Sequence, residues 1–294
     1  MKNDIFNFRR FGKYFSTDLR TCWANYGLSL LTITLLTPLA LYVLTTAFNV
    51  LIKGTWDGPD LGLRVFIFAV ALFCMVVTMP VKCYGKITEK QYGSFWITLP
   101  ASRLEKFMSM VLMTCIIVPV TGIVLYLSLD ALICLADKTC GTSLAAGAVE
   151  LLRNMGELNH LTLNLVDESF TIEDAAVIQE IMKEINNPWM YLDEIFGITL
   201  PFLLGAVYFK SGKTSKTIIA LFVVSTAVSI VMAPFLSNWA AEMVSNSNGD
   251  AHQIIEIFNN SLFKNLVLID TVSDTVFNLA ILTGIWFRIK TLKH

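Results

Sequence analysis

From Thr21 to Ile52 the chain runs 32 residues without an Asp, Glu, Lys or Arg. No ordinary surface helix or soluble core strand is built that way. A helix of about 20 apolar residues crosses a hydrocarbon core of roughly 30 Å with every backbone group bonded inside the segment. The span is read as Tyr26 to Ile52. Two further runs, Val65–Val81 and Phe107–Leu129, are equally clear, and Thr217–Ala241 adds 25 uncharged residues. Ile195–Phe209 and Thr275–Phe287 are short, at 15 and 13 uncharged residues, and must borrow length. Basic residues follow both at once (Lys210, Arg288), whereas Asp193, Glu194, Asp270 and Asp274 precede them. Both therefore extend backwards through carboxylates. The whole composition agrees: 55% of 294 residues are hydrophobic, 15% are charged and the mean hydropathy is +0.62, which fits no soluble domain of this length.

Six spans leave an even number of crossings, so both termini share one side. Placing the N-terminus in the cytoplasm puts 16 of 22 cations inside and 19 of 23 acids outside or near the outer face, in accord with the positive-inside rule. The fold class expected is an all-α polytopic membrane protein of six transmembrane helices, multi-pass, with N- and C-termini cytoplasmic. A cleaved signal peptide is disfavoured for the first span, since its basic flank is some 25 residues long and no A-x-A-like site follows. The net charge of −1 gives no sign of a nucleic-acid partner.

Residues 1–25 carry Phe8, Phe11, Phe15 and Leu19 at helical spacing, with Arg9, Arg10, Lys13 and Arg20 on other sectors. That is the pattern of an amphipathic helix lying on an anionic leaflet. Residues 26–135 hold the first three spans and a cytoplasmic loop, 83–106. Residues 136–190 form a small extracytoplasmic domain with nine acids against three bases. Within it, Val177, Ile178, Ile181, Met182 and Ile185 share a helical face, and Leu161, Leu163 and Leu165 alternate as in a short strand. Residues 191–294 hold the last three spans. Between the fifth and sixth, 242–269 are too polar to span and too apolar for a plain loop, which predicts an external re-entrant or interfacial helix.

Most catalytic readings fail on spacing. Gly212, Lys213 and Thr214 resemble the end of a phosphate-binding loop, but Val207 stands where that loop requires its first glycine. Gly212 is read instead as the end of the fourth helix. His160, His252 and His294 stand alone, no CxxC or HExxH is present, and no metal site is expected. There is no GxSxG elbow, and Asp193 with Glu194 lacks the histidines of a membrane protease. Of the six cysteines, only Cys134 and Cys140 are placed to form a disulfide. Asp270, Asp274 and Asn278 recur at i, i+4, i+8 and line one face of the last helix. They mark either a translocation path or simply the external end of that helix, capped by Ser273 or Asp274. Pro38, Pro119, Pro201 and Pro234 fall in or near spans and predict kinks.

The loop before the third span carries the densest local signal. Tyr92, Phe95, Trp96 and Leu99 share an i, i+3, i+4, i+7 face that Pro100 ends, which is a knob for a soluble partner's groove or an aromatic anchor at headgroup depth. Glu89, then Gly93 and Ser94, then Leu99, Pro100, Ala101, Ser102 and Arg103 form a pattern that resembles the first cytoplasmic loop of membrane subunits (permeases) of type-2 ABC exporters. The general plan of six spans and an amphipathic N-terminal helix is similar as well.

That resemblance implies a non-catalytic permease subunit in a bacterial cytoplasmic (inner) membrane, forming a homodimer or a heterodimer with a related permease. Two separately encoded ABC ATPases would dock on the loop and carry the ATP and Mg²⁺; this chain itself would bind no cofactor. It further implies coupling roles for Glu89, Tyr92, Gly93, Phe95, Trp96, Leu99, Pro100 and Arg103. The rival readings are a stand-alone secondary carrier, for which midplane charges are expected, and a membrane anchor or sensor with an external ligand-binding domain.

Overall fold

The computed structural model describes residues 6–89, 93, 96, 98–154, 188–246 and 263–291, and every regular element among them is helical. In chain order these are α1 (Phe8–Lys53), α2 (Leu61–Tyr84, continued by a 3₁₀ turn Gly85–Thr88), α3 (Arg103–Ala136), α4 (Leu144–Asn154), α5 (Pro188–Tyr208), α6 (Lys213–Asn246) and α7 (Phe263–Thr291). Five stretches are long and apolar enough to cross a membrane: Phe8–Lys53, Leu61–Thr88, Arg103–Ala136, Lys213–Pro234 and Thr271–Thr291. The sixth candidate lies on the 21-residue α5, with Asp193 and Glu194 in its first third. The expected strand at Leu161–Leu165 and the helical face from Val177 to Ile185 lie outside the described residues.

Local chemistry sets the helix ends. The Asn7 side chain accepts from the Arg9 and Arg10 amides and opens α1. Gly54, at φ +68°, closes it in the left-handed conformation that favours glycine. Between these caps the amphipathic segment and the first span form one uninterrupted 46-residue helix, where the hydropathy pattern suggested two elements. Asp60 caps α2, and Ser102 with Glu105 forms a reciprocal capping box on α3. Gly212 does not end the fourth span as expected. α5 stops at Tyr208, and Gly212, at φ +61°, makes the turn into α6.

Two of the expected proline distortions take a defined form. Thr32–Leu36 in α1 and Leu112–Ile117 in α3 are π turns, and each lies two residues before a proline, Pro38 or Pro119. A proline donates nothing to the carbonyl four residues back and its ring crowds that carbonyl, so the preceding turn widens. The carbonyls concerned belong to Thr34 and Cys115.

The chain forms two compact units: Met1–Glu150 with Ile198–Thr217 and Ala280–His294, and Leu151–Gly197 with Ile218–Leu279. In the first, α1, α2 and α3 pack around Leu30, Met75, Met79 and Val118, and around Ala71, Tyr126 and Leu144. Gly122 lets α3 approach α2, since a methyl group there would overlap the Met75 thioether. In the second unit, Phe222, Val223, Val228, Ile230 and Val231 stand exposed along α6. The same holds on α1 for Leu36, Val43 and Phe48. Apolar surface so continuous is stable against hydrocarbon, not against water.

Candidate functional site

The loop between α2 and α3 ends in a network of buried polar bonds. Glu105, 0% exposed, closes the Ser102 box and also accepts from the Asn7 amide (2.9 Å) and from Arg10 Nε and Nη2 (2.8 Å each to its carboxylate). One carboxylate therefore ties the first turn of α3 to the first turn of α1. Lys106, equally buried, donates to the Trp96 carbonyl (2.7 Å) and sits 5.0 Å from the centre of that residue's ring, a cation–π contact. Arg103 donates to the Lys290 carbonyl at the end of α7 (2.9 Å). Lys213 donates to the Gly85 carbonyl and to Thr88 Oγ1 (2.7 Å for the latter). The loop's entry and exit are thus bonded to the starts of α1 and α6 and the end of α7.

Trp96 does not stand outward. It is 5% exposed, and its indole Nε1 finds no acceptor. Gly93 is also buried, its amide donating to the Glu89 carbonyl (2.8 Å), while Glu89, Pro100 and Arg103 are exposed and Leu99 is half-buried. Tyr92, Phe95 and Ser94 lie outside the described residues. Among the described residues of the loop, Glu89, Thr98, Pro100 and Arg103 are exposed and the tryptophan is not.

Further along α1–α3 toward the same end, Asp18 accepts from Tyr84 (2.8 Å) and Ser109 (2.6 Å), joining all three helices. The Cys22 and Cys83 thiols meet here, with sulfurs 2.7 Å apart, and Cys134 and Cys140 share a hydrogen bond between their own thiols. Both members of the latter pair, the one expected from spacing, are buried, and they form no disulfide.

At the Gly54 end of these helices, Arg64 and Asp130 border the uncharged runs Val65–Val81 and Phe107–Leu129. They form a buried ion pair (3.2 Å). Arg64 also donates to Cys134 Sγ (2.9 Å) and to the carbonyls of Cys140 (2.8 Å) and Thr142 (2.7 Å), and Asp130 accepts from the Leu144 amide (2.8 Å). Nearby, Asp137 accepts from Thr139, from Tyr42 (2.8 Å) and from the Trp56 indole (3.0 Å). Those donors, Thr139 first, hold its carboxyl below the usual range.

On the last helix, α7 passes through Asp270 and Asp274 without a break, so neither Ser273 nor Asp274 caps it. Asp274 is exposed. Asn278 is buried and donates from Nδ2 to Asp193 on α5 (2.7 Å). Nothing in a separation of 85 positions announces their meeting. No group of three or more His, Cys, Asp or Glu suited to a metal ion occurs among the described residues.

The fold and these networks define a helical membrane protein. Compared with protein-family models, curated proteins and solved structures, the chain matches none.

Proposed function

We propose that this chain is the membrane-spanning permease subunit of an ABC exporter, with six spans and both termini cytoplasmic, driven by separate ATPase subunits that bind ATP and Mg²⁺. The resemblance of Glu89, Gly93, Ser94 and Leu99–Arg103 to the coupling loop of that family supplies the class. The observation that carries the mechanism is Glu105, which joins α3 to α1 next to the exposed Arg103, itself bonded to the end of α7. A partner pressing on Glu89, Pro100 and Arg103 therefore acts on several helices together, as a rigid lever requires.

The test is co-purification in mild detergent followed by ATPase assays. An ABC ATPase should accompany the chain, and its stimulation should fall with Arg103→Ala and Glu89→Ala while the chain still inserts. Absence of any ATPase across several mild detergents, or full stimulation with both variants, would remove this reading. Asn278, inside the apolar stretch Thr271–Thr291 and bonded to Asp193, favours a second reading, a carrier acting alone. Nucleotide-independent transport by the purified chain in vesicles would establish it.

A further inference from the structure

Asn278 lies seven residues inside the apolar stretch Thr271–Thr291 of α7, about 10 Å from its start at 1.5 Å per residue. A polar side chain at that depth is costly unless it is bonded or has a task. Half of it is bonded: Nδ2 donates to Asp193 Oδ1 at 2.7 Å. A carboxylate only accepts, so the amide must turn its NH₂ edge to Asp193, and its oxygen is left pointing elsewhere. That Oδ1 is buried and has no partner.

Where it points is set by Gly197, which follows Asp193 by four residues and so shares its face of α5. A side chain added at Gly197 would meet only Asn278 Oδ1 within 4 Å, at 3.8 Å. The glycine leaves room for at least a methyl-sized group in contact with the orphan oxygen, with the Asp193 carboxylate one turn away. All three residues belong to the same compact unit.

We propose that Asp193, Asn278 and the space over Gly197 form a binding site for the primary ammonium group of an amphiphilic amine. The count of acceptors selects the ligand. A primary ammonium carries three N–H donors, and the site presents three acceptor oxygens, two from Asp193 and one from Asn278. A divalent cation needs more oxygens than this. Ile195–Phe209 of α5 and Thr275–Phe287 of α7 carry no charge, so a ligand's alkyl chain meets uncharged helix surface while its head is held. Asp274, exposed one turn before Asn278, places a second carboxylate on the approach.

The site deepens the transport reading by giving its cargo a chemical class, and rests on that reading only for passage; binding requires no ATPase. The experiment is equilibrium binding of tritiated octylamine to the purified full-length chain in lipid nanodiscs, with octyltrimethylammonium, octanol and sodium chloride as competitors. Binding should saturate, and Asp193→Asn, which keeps the shape but removes the charge, should weaken it about tenfold, the scale of one charge-assisted hydrogen bond. Gly197→Ala, which fills the space at ordinary contact distance, should weaken it as well and decides the matter should Asp193→Asn not fold. Octyltrimethylammonium, with charge but no N–H, should compete poorly. Unchanged affinity in the variants, equal competition by octanol, or displacement by millimolar sodium would each overturn the site. Amine binding without a co-purifying ATPase would sink only the permease reading; ATPase stimulation without amine binding would sink only the site.

Discussion

Trp96 shows how a side chain's value differs from its chemical inventory. Its ring is buried and supports Lys106, yet its N–H is orphaned. An unsatisfied buried donor contributes nothing and costs its own desolvation, so Trp96→Phe should change stability by less than about 1 kcal/mol. Trp96→Ala empties the pocket and should cost about 3–5 kcal/mol. Thermal unfolding in detergent distinguishes the two, and a large loss for the phenylalanine would mean the indole nitrogen is bonded after all. Asp137 behaves oppositely, because every bond it accepts favours its charged form. Its folded pKa lies below the unfolded value of about 3.9. Its stabilisation is therefore complete above that value and is lost as pH falls through the folded pKa. Asp137→Asn should lower Tm at pH 7, and the gap from the wild type should narrow below about pH 4. A gap of constant size down to pH 3 would show that charge plays no part.

Helix contacts are governed by which neighbour has room to yield. At Gly205 on α5, an added methyl would overlap Thr217 Oγ1 on α6, and the Thr217 Cβ stands only 3.0 Å away. Thr217 is β-branched and its hydroxyl is bonded to the Lys213 carbonyl (2.7 Å), so it has no alternative rotamer to take without losing that bond. At Gly122 the obstacle is the tip of Met75, which has three rotatable bonds. Gly205→Ala should therefore destabilise by about 1–3 kcal/mol and Gly122→Ala by clearly less; denaturant or thermal unfolding of the two variants in one detergent gives the comparison, and equal losses would refute the rigidity argument. Helices of this kind were legible in the sequence because an absence of charge over twenty residues is a local property. The prolines were legible too, although not that Pro38 and Pro119 each widen the turn before them. What stayed hidden was pairing: Arg64 with Asp130, Arg10 with Glu105, Asp193 with Asn278. Each member looks like an ordinary boundary or surface polar residue, and only the packed helices bring it to a partner dozens of residues away.

At the scale of the whole molecule, the proposed mechanism stands on which side of the bilayer the loop occupies. The orientation proposed from the charge asymmetry would put Lys86, Arg103, Lys213 and Arg288 in the cytoplasm and Lys53, Asp57 and Asp137 outside. The bonds of Lys213 to Gly85 and of Arg103 to the Lys290 carbonyl put the loop, the α5–α6 turn and the end of α7 on one side by geometry alone. Single cysteines in a cysteine-free background read the side directly. Thr55→Cys and Ser211→Cys both lie at exposed positions, in the turn after α1 and the turn before α6. In intact cells a membrane-impermeant maleimide should label position 55 within minutes and position 211 only after permeabilisation. The reverse pattern would leave Glu89, Pro100 and Arg103 facing the exterior, where no ATPase can reach them, and the coupling role would fall. The amine site would survive that outcome, because the bond between Asn278 and Asp193 is the same whichever end of α7 faces the cytoplasm.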